Sequence, residues 1–167
     1  LIDNLVKKYN FSLIKKDKIK ELYKGIINRN NTLLIKPLVF MNLSGDPINQ
    51  TLKYYKIKKN NLYVIHDDLD LKTAKLKLKI GGSNGGHKGL QSIDNIIGKQ
   101  YNRLRIGINH PGNKNEVSKY VLEKFTKIEK IKINNKLEII CKNFDLLLSD
   151  TSLFLTKVAV EEVKDGI

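Results

Sequence analysis

Residues 76–97 read LKLKIGGSNGGHKGLQSIDNII, and this stretch decides the fold. Leu76 to Ile80 alternate apolar and basic residues, as a half-buried strand does. Gln91 to Ile97 place Ile93, Ile96 and Ile97 at helical spacing. Between them, Gly81 to Leu90 pack five glycines, a histidine and a lysine into ten residues. A glycine-dense connection from strand to helix lets backbone N–H groups approach an anion closely, and the helix N-terminus adds donors and a favourable dipole. The same composition also describes an ordinary flexible turn. His87 and Lys88 at the helix mouth tilt the balance towards a phosphate or polar substrate.

Outward from this unit, strands and helices alternate. Residues 1–9 read as the end of an amphipathic helix carrying Leu1, Ile2, Leu5 and Val6. Leu22–Asn28 and Thr32–Pro37 read as strands joined by the polar turn Arg29-Asn30-Asn31. A polar bend over Met41–Asp46 precedes a helix over Ile48–Tyr55. Leu62–Ile65 has the profile of a buried central strand ending at His66-Asp67-Asp68, whereas Lys75–Ile80, with its lysines on one face, suits an edge. Arg103–Asn109 is a further strand, stopped by Pro111-Gly112, and Glu116–Phe125, Lys127–Leu148 and Ser152 towards Val163 are helical. No repeat, low-complexity tract or linker interrupts the chain. The expectation is one α/β domain over residues 1–167, a twisted mixed sheet with helices on both faces.

The composition bounds the function. A length of 167 residues suits one domain with a real core, and no apolar run approaches a membrane span. The single cysteine, Cys141, cannot form an internal disulfide, and a cytoplasmic protein is the default. The net charge of +14 favours a polyanionic partner, nucleic acid first. Because Lys, Asn and Ile are abundant together, A/T-rich codons account for part of that charge. The chain opens at Leu1, without an initiator methionine and already inside a helical pattern, so an upstream segment is expected.

In open α/β sheets ligands bind beyond the carboxyl ends of the strands. Phe40-Met41-Asn42, His66-Asp67-Asp68 and the glycine loop all fall at such positions, and Asp67, Asn42 and His87 are expected to converge on one cleft. Asp67, after an apolar strand, either orients a histidine or caps the next turn. Asn42, flanked by Met41 and Leu43, is a donor to a carbonyl or developing oxyanion if buried, or bonds locally in the bend. His87 suits a general base, a phosphate contact or a cap. His66 and His110 read as structural and loop residues. Asp67, Asp68 and Asp70 lack the glycine and glutamate of a calcium loop, and no metal is expected.

Four blocks, KPLVFMNLSG from Lys36, HDDLD from His66, GGSNGGHKGL from Gly81 and RLRIGINHPG from Arg103, together closely resemble bacterial peptidyl-tRNA hydrolase in order and spacing. The resemblance implies a monomeric α/β enzyme, without metal or organic cofactor, that cleaves the ester between a peptide and the 3′ ribose of tRNA. In its light Asp67 would hold the catalytic histidine in its basic form. Asn42 would contact substrate and help position water or stabilise the oxyanion. Phe40 and Met41 would line the groove for the peptide and the 3′ CCA end, and His87 would stand at the rim. Lys79 and Arg105 would grip the tRNA 5′ phosphate beside the acceptor stem, a task suited to an ammonium and a guanidinium.

Two departures stand out. Lys88 occupies a position where the family most often has asparagine, so it would reach phosphate instead. The family's catalytic histidine and its preceding strand match no position here, and His66, His87 and His110 match others; the chain as it stands is expected to be inactive without them. An alternative is a truncated, non-catalytic tRNA- or RNA-binding protein of the same fold. A weaker one is an unrelated phosphate-ester enzyme built on the glycine loop.

Overall fold

The computed structural model describes residues 1–164; the last residues of the expected 1–167 domain, 165–167, lie outside that range. The fold is α/β. In chain order the elements are α1 (Ile2–Lys8), β1 (Ser12–Lys16), β2 (Lys20–Ile27), β3 (Asn30–Pro37), α2 (Gly45–Tyr54), β4 (Tyr63–Asp68), β5 (Leu76–Ile80), α3 (Lys88–Ile97), β6 (Asn102–Gly107), α4 (Val117–Tyr120), α5 (Lys127–Lys142), α6 (Phe144–Ser149) and α7 (Thr151–Lys164). Among the described residues two three-stranded sheets form, β1-β2-β3 and β4-β6-β5, where one mixed sheet was expected. Contacts cluster into two compact units, one of Ile2–Val64 with Leu78–Arg103, the other of Leu1, Ile65–Lys77 and the chain from Leu104 onward.

In the first of these units, β1, β2 and β3 form an antiparallel meander. The register pairs Ile27 with Asn30, so the connection is Asn28-Arg29 and not Arg29-Asn30-Asn31. Both residues have positive φ, 49° and 63°, the backbone that a two-residue turn needs to match the strand twist. β1 carries no alternation, and all five of its residues are exposed. Pairing with β2, not a buried face, makes it a strand, which is why its sequence gave no signal. Phe11 lies over Gly25, where a Cβ would sit 2.7 Å from the ring. A hydrophobic core joins α2 and α3 through Ile48, Leu52, Leu90 and Ile93, with Leu62 and Tyr101.

The β4-β6-β5 sheet is mixed. Asn102 donates to the Leu62 carbonyl at one end, and Ile108 to the Asp68 carbonyl at the other, so β4 and β6 run parallel. Gly107 bonds Lys75 while Gly81 bonds Tyr101, so β5 runs antiparallel to β6. The middle strand is therefore β6, not the segment beginning at Leu62. All six residues of β4 are half-buried, whereas all but one of β6 are buried. The edge position expected for β5 holds, with Lys77 and Lys79 exposed and Leu76 and Leu78 half-buried.

In the other unit, the helix expected over Glu116–Phe125 shortens to α4 after a 3₁₀ turn. Val121, Leu122 and Phe125 are exposed, so no packed face holds a longer helix together. Thr126 and Glu129 form a reciprocal capping box that starts α5. The helix expected over Lys127–Leu148 breaks at Asn143 into α5 and α6, and Ile140, Phe144, Leu147, Phe154 and Val158 are buried among α5, α6 and α7.

Candidate active site

The glycine loop needs its glycines. Gly81, Gly82, Gly85 and Gly86 all have positive φ, between 58° and 97°, where a Cβ is strained. Local bonds then fold the loop into a turn. The Ser83 Oγ accepts from Gly85 N at 3.2 Å, the Asn84 Oδ1 from Gly86 N at 3.0 Å, and the Asn84 carbonyl from His87 N at 2.9 Å. The Lys79 side chain lies across Gly82; a Cβ there would meet its Nζ at 2.7 Å.

His87 is the N-cap of α3, which starts at Lys88 and not at Gln91. Its Nδ1 accepts from the backbone N–H groups of Gly89 and Leu90, at 3.1 and 3.2 Å. An accepting Nδ1 carries no proton, so the neutral ring holds its proton on Nε2 and presents it as a donor. Of the three roles open to His87 in sequence, the cap is the one its geometry makes. Lys88 follows as the exposed first residue of the helix.

Phe40 leads into a 3₁₀ turn over Met41–Leu43, part of the segment expected as a bend. Ser44 Oγ donates to the Met41 carbonyl at 2.8 Å, and Gly45 N donates to Ser92 Oγ of α3 at 3.0 Å. A Cβ on Gly45 would meet the Ser92 carbonyl oxygen at 2.5 Å, so only glycine lets α2 approach α3 this closely. The clamp sets Met41 over the first turn of α3. A Cβ on Gly89 would touch the Met41 Sδ at 2.6 Å and His87 Cε1 at 3.0 Å. Met41 and His87 thus flank the same glycine. Phe40 is 81% exposed and Met41 56%, an apolar pair left open to solvent. Asn42 is exposed as well, so its amide is not the buried group that its neighbours suggested.

Beneath the loop is a polar cluster that sequence reading missed. Arg103 donates through Nη2 to Asp94 Oδ1 at 2.8 Å and through Nη1 to the Ser83 carbonyl at 2.9 Å. Tyr101 donates its hydroxyl to the same Asp94 oxygen at 2.8 Å, and its ring lies 4.7 Å from the guanidinium carbon. Burial, then the bond to Asp94, holds the Tyr101 phenol far above its usual pKa. One strand, one helix and the glycine loop are tied at a single buried point. The signal lay in the RLR spacing, which sends Arg103 and Arg105 to the same face of a strand in sequence terms but hides that one would be buried against a helix carboxylate.

In the other unit, Asp67 sits on β4, half-buried, between His66 and Asp68. The His66 Nδ1 lies 2.6 Å from the Asp67 carbonyl, in keeping with a structural role. Arg105 pairs with Asp68 through Nε at 2.5 Å and lies 3.7 Å from Asp70. The bond to Asp68 raises the guanidinium's pKa further. His110 accepts from Gly112 N in a loop. Among the described residues, no group of three or more His, Cys, Asp or Glu side chains is placed to hold a metal, and no helix is long and apolar enough to cross a membrane.

The family model of peptidyl-tRNA hydrolase matches residues 1–165. The chain belongs to the peptidyl-tRNA hydrolase family. It is 40% identical over 151 residues to a peptidyl-tRNA hydrolase of Rickettsia canadensis, covering 90% of this chain and 82% of that one. Against the Rickettsia typhi enzyme the identity is 43% over 148 residues, 88% and 80% of the two chains. A crystal structure of peptidyl-tRNA hydrolase from Acinetobacter baumannii superposes with a TM-score of 0.87 at 32% identity, covering 94% of this chain and 81% of that one. Peptidyl-tRNA hydrolases are hydrolases, and the matched residues 1–165 include the glycine loop and the turn at Phe40-Met41-Asn42.

Proposed function

We propose that this protein hydrolyses the ester joining a peptide to the 3′ ribose of tRNA and so recycles tRNA from aborted translation. The observation that carries the reading is the match to the peptidyl-tRNA hydrolase family along nearly the whole chain. In this reading Phe40 and Met41, exposed at the mouth of α3, receive the apolar parts of the peptide and the CCA end. Asn42 donates its amide to the substrate carbonyl or to the oxyanion that develops on it. His87, its Nδ1 held by the cap, acts as an Nε2–H donor at the rim and not as a proton acceptor.

Asp67 orients the imidazole that activates water, and keeps that ring basic. The Nδ1 atoms of His87 and His110 accept from backbone N–H groups, so their neutral rings carry the proton on Nε2 and neither offers a basic nitrogen there. The family resemblance gives the role of base to the family's catalytic histidine. Lys79 and Arg105 take the tRNA 5′ phosphate, with Lys88 a further phosphate contact; the enzyme works as a monomer in the cytoplasm. A purely RNA-binding role is not favoured, because it would have no use for Asn42, Asp67 and His87 as a set. Single-turnover hydrolysis of N-acetylaminoacyl-tRNA tests the activity. Cleavage of the ester, abolished by Asp67→Asn, is expected; binding of the tRNA without cleavage would overturn it.

A further inference from the structure

A cavity of about 290 Å³ opens beside the β1–β2 hairpin and the last turns of α2, away from the glycine loop in sequence, and its residues play no part in the chemistry above. Its lining includes Ile14, Lys20, Gln50, Thr51, Tyr54 and Tyr55. Lys20 is the unusual member. Only 3% of it is exposed, and its Nζ donates to the Gln50 Oε1 at 3.1 Å, a neutral acceptor for a charged donor. Among the described residues no carboxylate stands within ion-pair distance of it. Asp17, nearby in sequence, is already occupied: its Oδ1 accepts from the backbone of Ile19 and Lys20, and its Oδ2 pairs with Lys15 at 3.3 Å. An ammonium has three protons to donate, and a buried one without a counter-ion is costly.

The rest of the lining describes what would compensate that charge. Tyr54 is 80% exposed, and its ring meets the Tyr55 ring edge to face with centroids 4.9 Å apart. Ile14 is 42% exposed. Aromatic and aliphatic side chains left open beside a buried cation suit a ligand with one charged end and a flat apolar body. The cavity lies at the small end of ligand pockets, which favours a small molecule over a polymer. The Lys20 ammonium has no carboxylate in contact, since Asp17 acts on it only from a distance, and it suits one negative charge; a carboxylate accepts from it and leaves an oxygen for the neighbouring Gln50 amide N–H₂. We propose that this cavity binds a small organic monoanion, its carboxylate on the Lys20 ammonium and its apolar body against Ile14, Tyr54 and Tyr55.

The test is titration of the ¹⁵N-labelled full chain with benzoate, followed by amide shifts, with neutral benzamide and inorganic phosphate as parallel probes. Saturable shifts centred on Lys20, Thr51, Tyr54 and Tyr55 are expected for benzoate, with benzamide at least about tenfold weaker because it lacks the charge. Lys20→Met should abolish benzoate binding, and its dispersed spectrum reports that the fold survives. Tyr54→Ala alters an exposed side chain and should weaken benzoate several-fold, so the site remains testable even if Lys20→Met unfolds. Equal binding of benzamide, binding unchanged in Tyr54→Ala, or no saturable shift would overturn the proposal. Phosphate binding at these amides in place of benzoate would overturn the carboxylate assignment.

Discussion

Arg103 and Asp94 meet at 2.8 Å with their side chains only 2% and 3% exposed, and the same guanidinium holds the Ser83 carbonyl of the glycine loop. A buried pair of this kind is weak proof of net stability, but removing one partner strands the other charge. Arg103→Met or Asp94→Leu alone should cost about 3–5 kcal/mol in urea unfolding. The double substitution should recover much of that loss, because no charge is left buried. Tyr101 then loses its acceptor, so recovery stays incomplete.

The cap on α3 gives a second prediction. His87→Ala should cost about 1 kcal/mol, the usual worth of an N-cap. His87→Asn should restore most of that stability, since its side-chain oxygen can accept the same backbone donors, while lacking the Nε2–H. A fall in kcat for His87→Asn with stability kept would assign the loss to the donor. Equal activity would leave His87 as a cap alone.

Lys79 and Arg105 differ in how they are held. Lys79 folds over the loop at Gly82, whereas Arg105 is engaged by Asp68 and Asp70. Replacing either by alanine should weaken tRNA binding and lower its salt dependence by about one counterion per phosphate contact. Arg105→Ala should also reduce the melting temperature, because it leaves Asp68 without its partner; Lys79→Ala should not. A minimal ester substrate without the tRNA body should be affected little by Lys79→Ala.

Burial pushes the Lys20 ammonium below the usual lysine pKa of 10.5. The unfolded chain keeps its proton up to that ordinary value, whereas the folded chain releases it earlier. In the interval the unfolded state binds more protons, so Lys20 makes stability rise with pH. At neutral pH the cost of the buried charge is fully present. Lys20→Met should therefore raise the melting temperature most at neutral pH, and its advantage should shrink as pH climbs through the folded pKa towards 10.5. An advantage independent of pH would assign the change to packing instead.

By itself the sequence determined the α/β class, the family and the strand–loop–helix unit around Gly81–Leu90, because period-two and helical patterns and a glycine-dense turn are local properties. Four glycines at positive φ and a capping His87 are what such a local code specifies. What the tertiary structure decided is whatever depends on partners distant in the chain. β1 has no apolar face and exists through pairing with β2. The run ending at Ile65 looked central because it is apolar, yet the middle strand is β6, whose Arg103 is buried only because Asp94 neutralises it from α3. Met41 and His87 flank Gly89 across the close approach that Gly45 gives Ser92, and Lys20 becomes a buried cation because α2 brings Gln50 and Thr51 to it. Hydrophobic pattern fixes which local elements form; long-range charge pairing and close backbone approach choose their neighbours, and those are visible only in three dimensions.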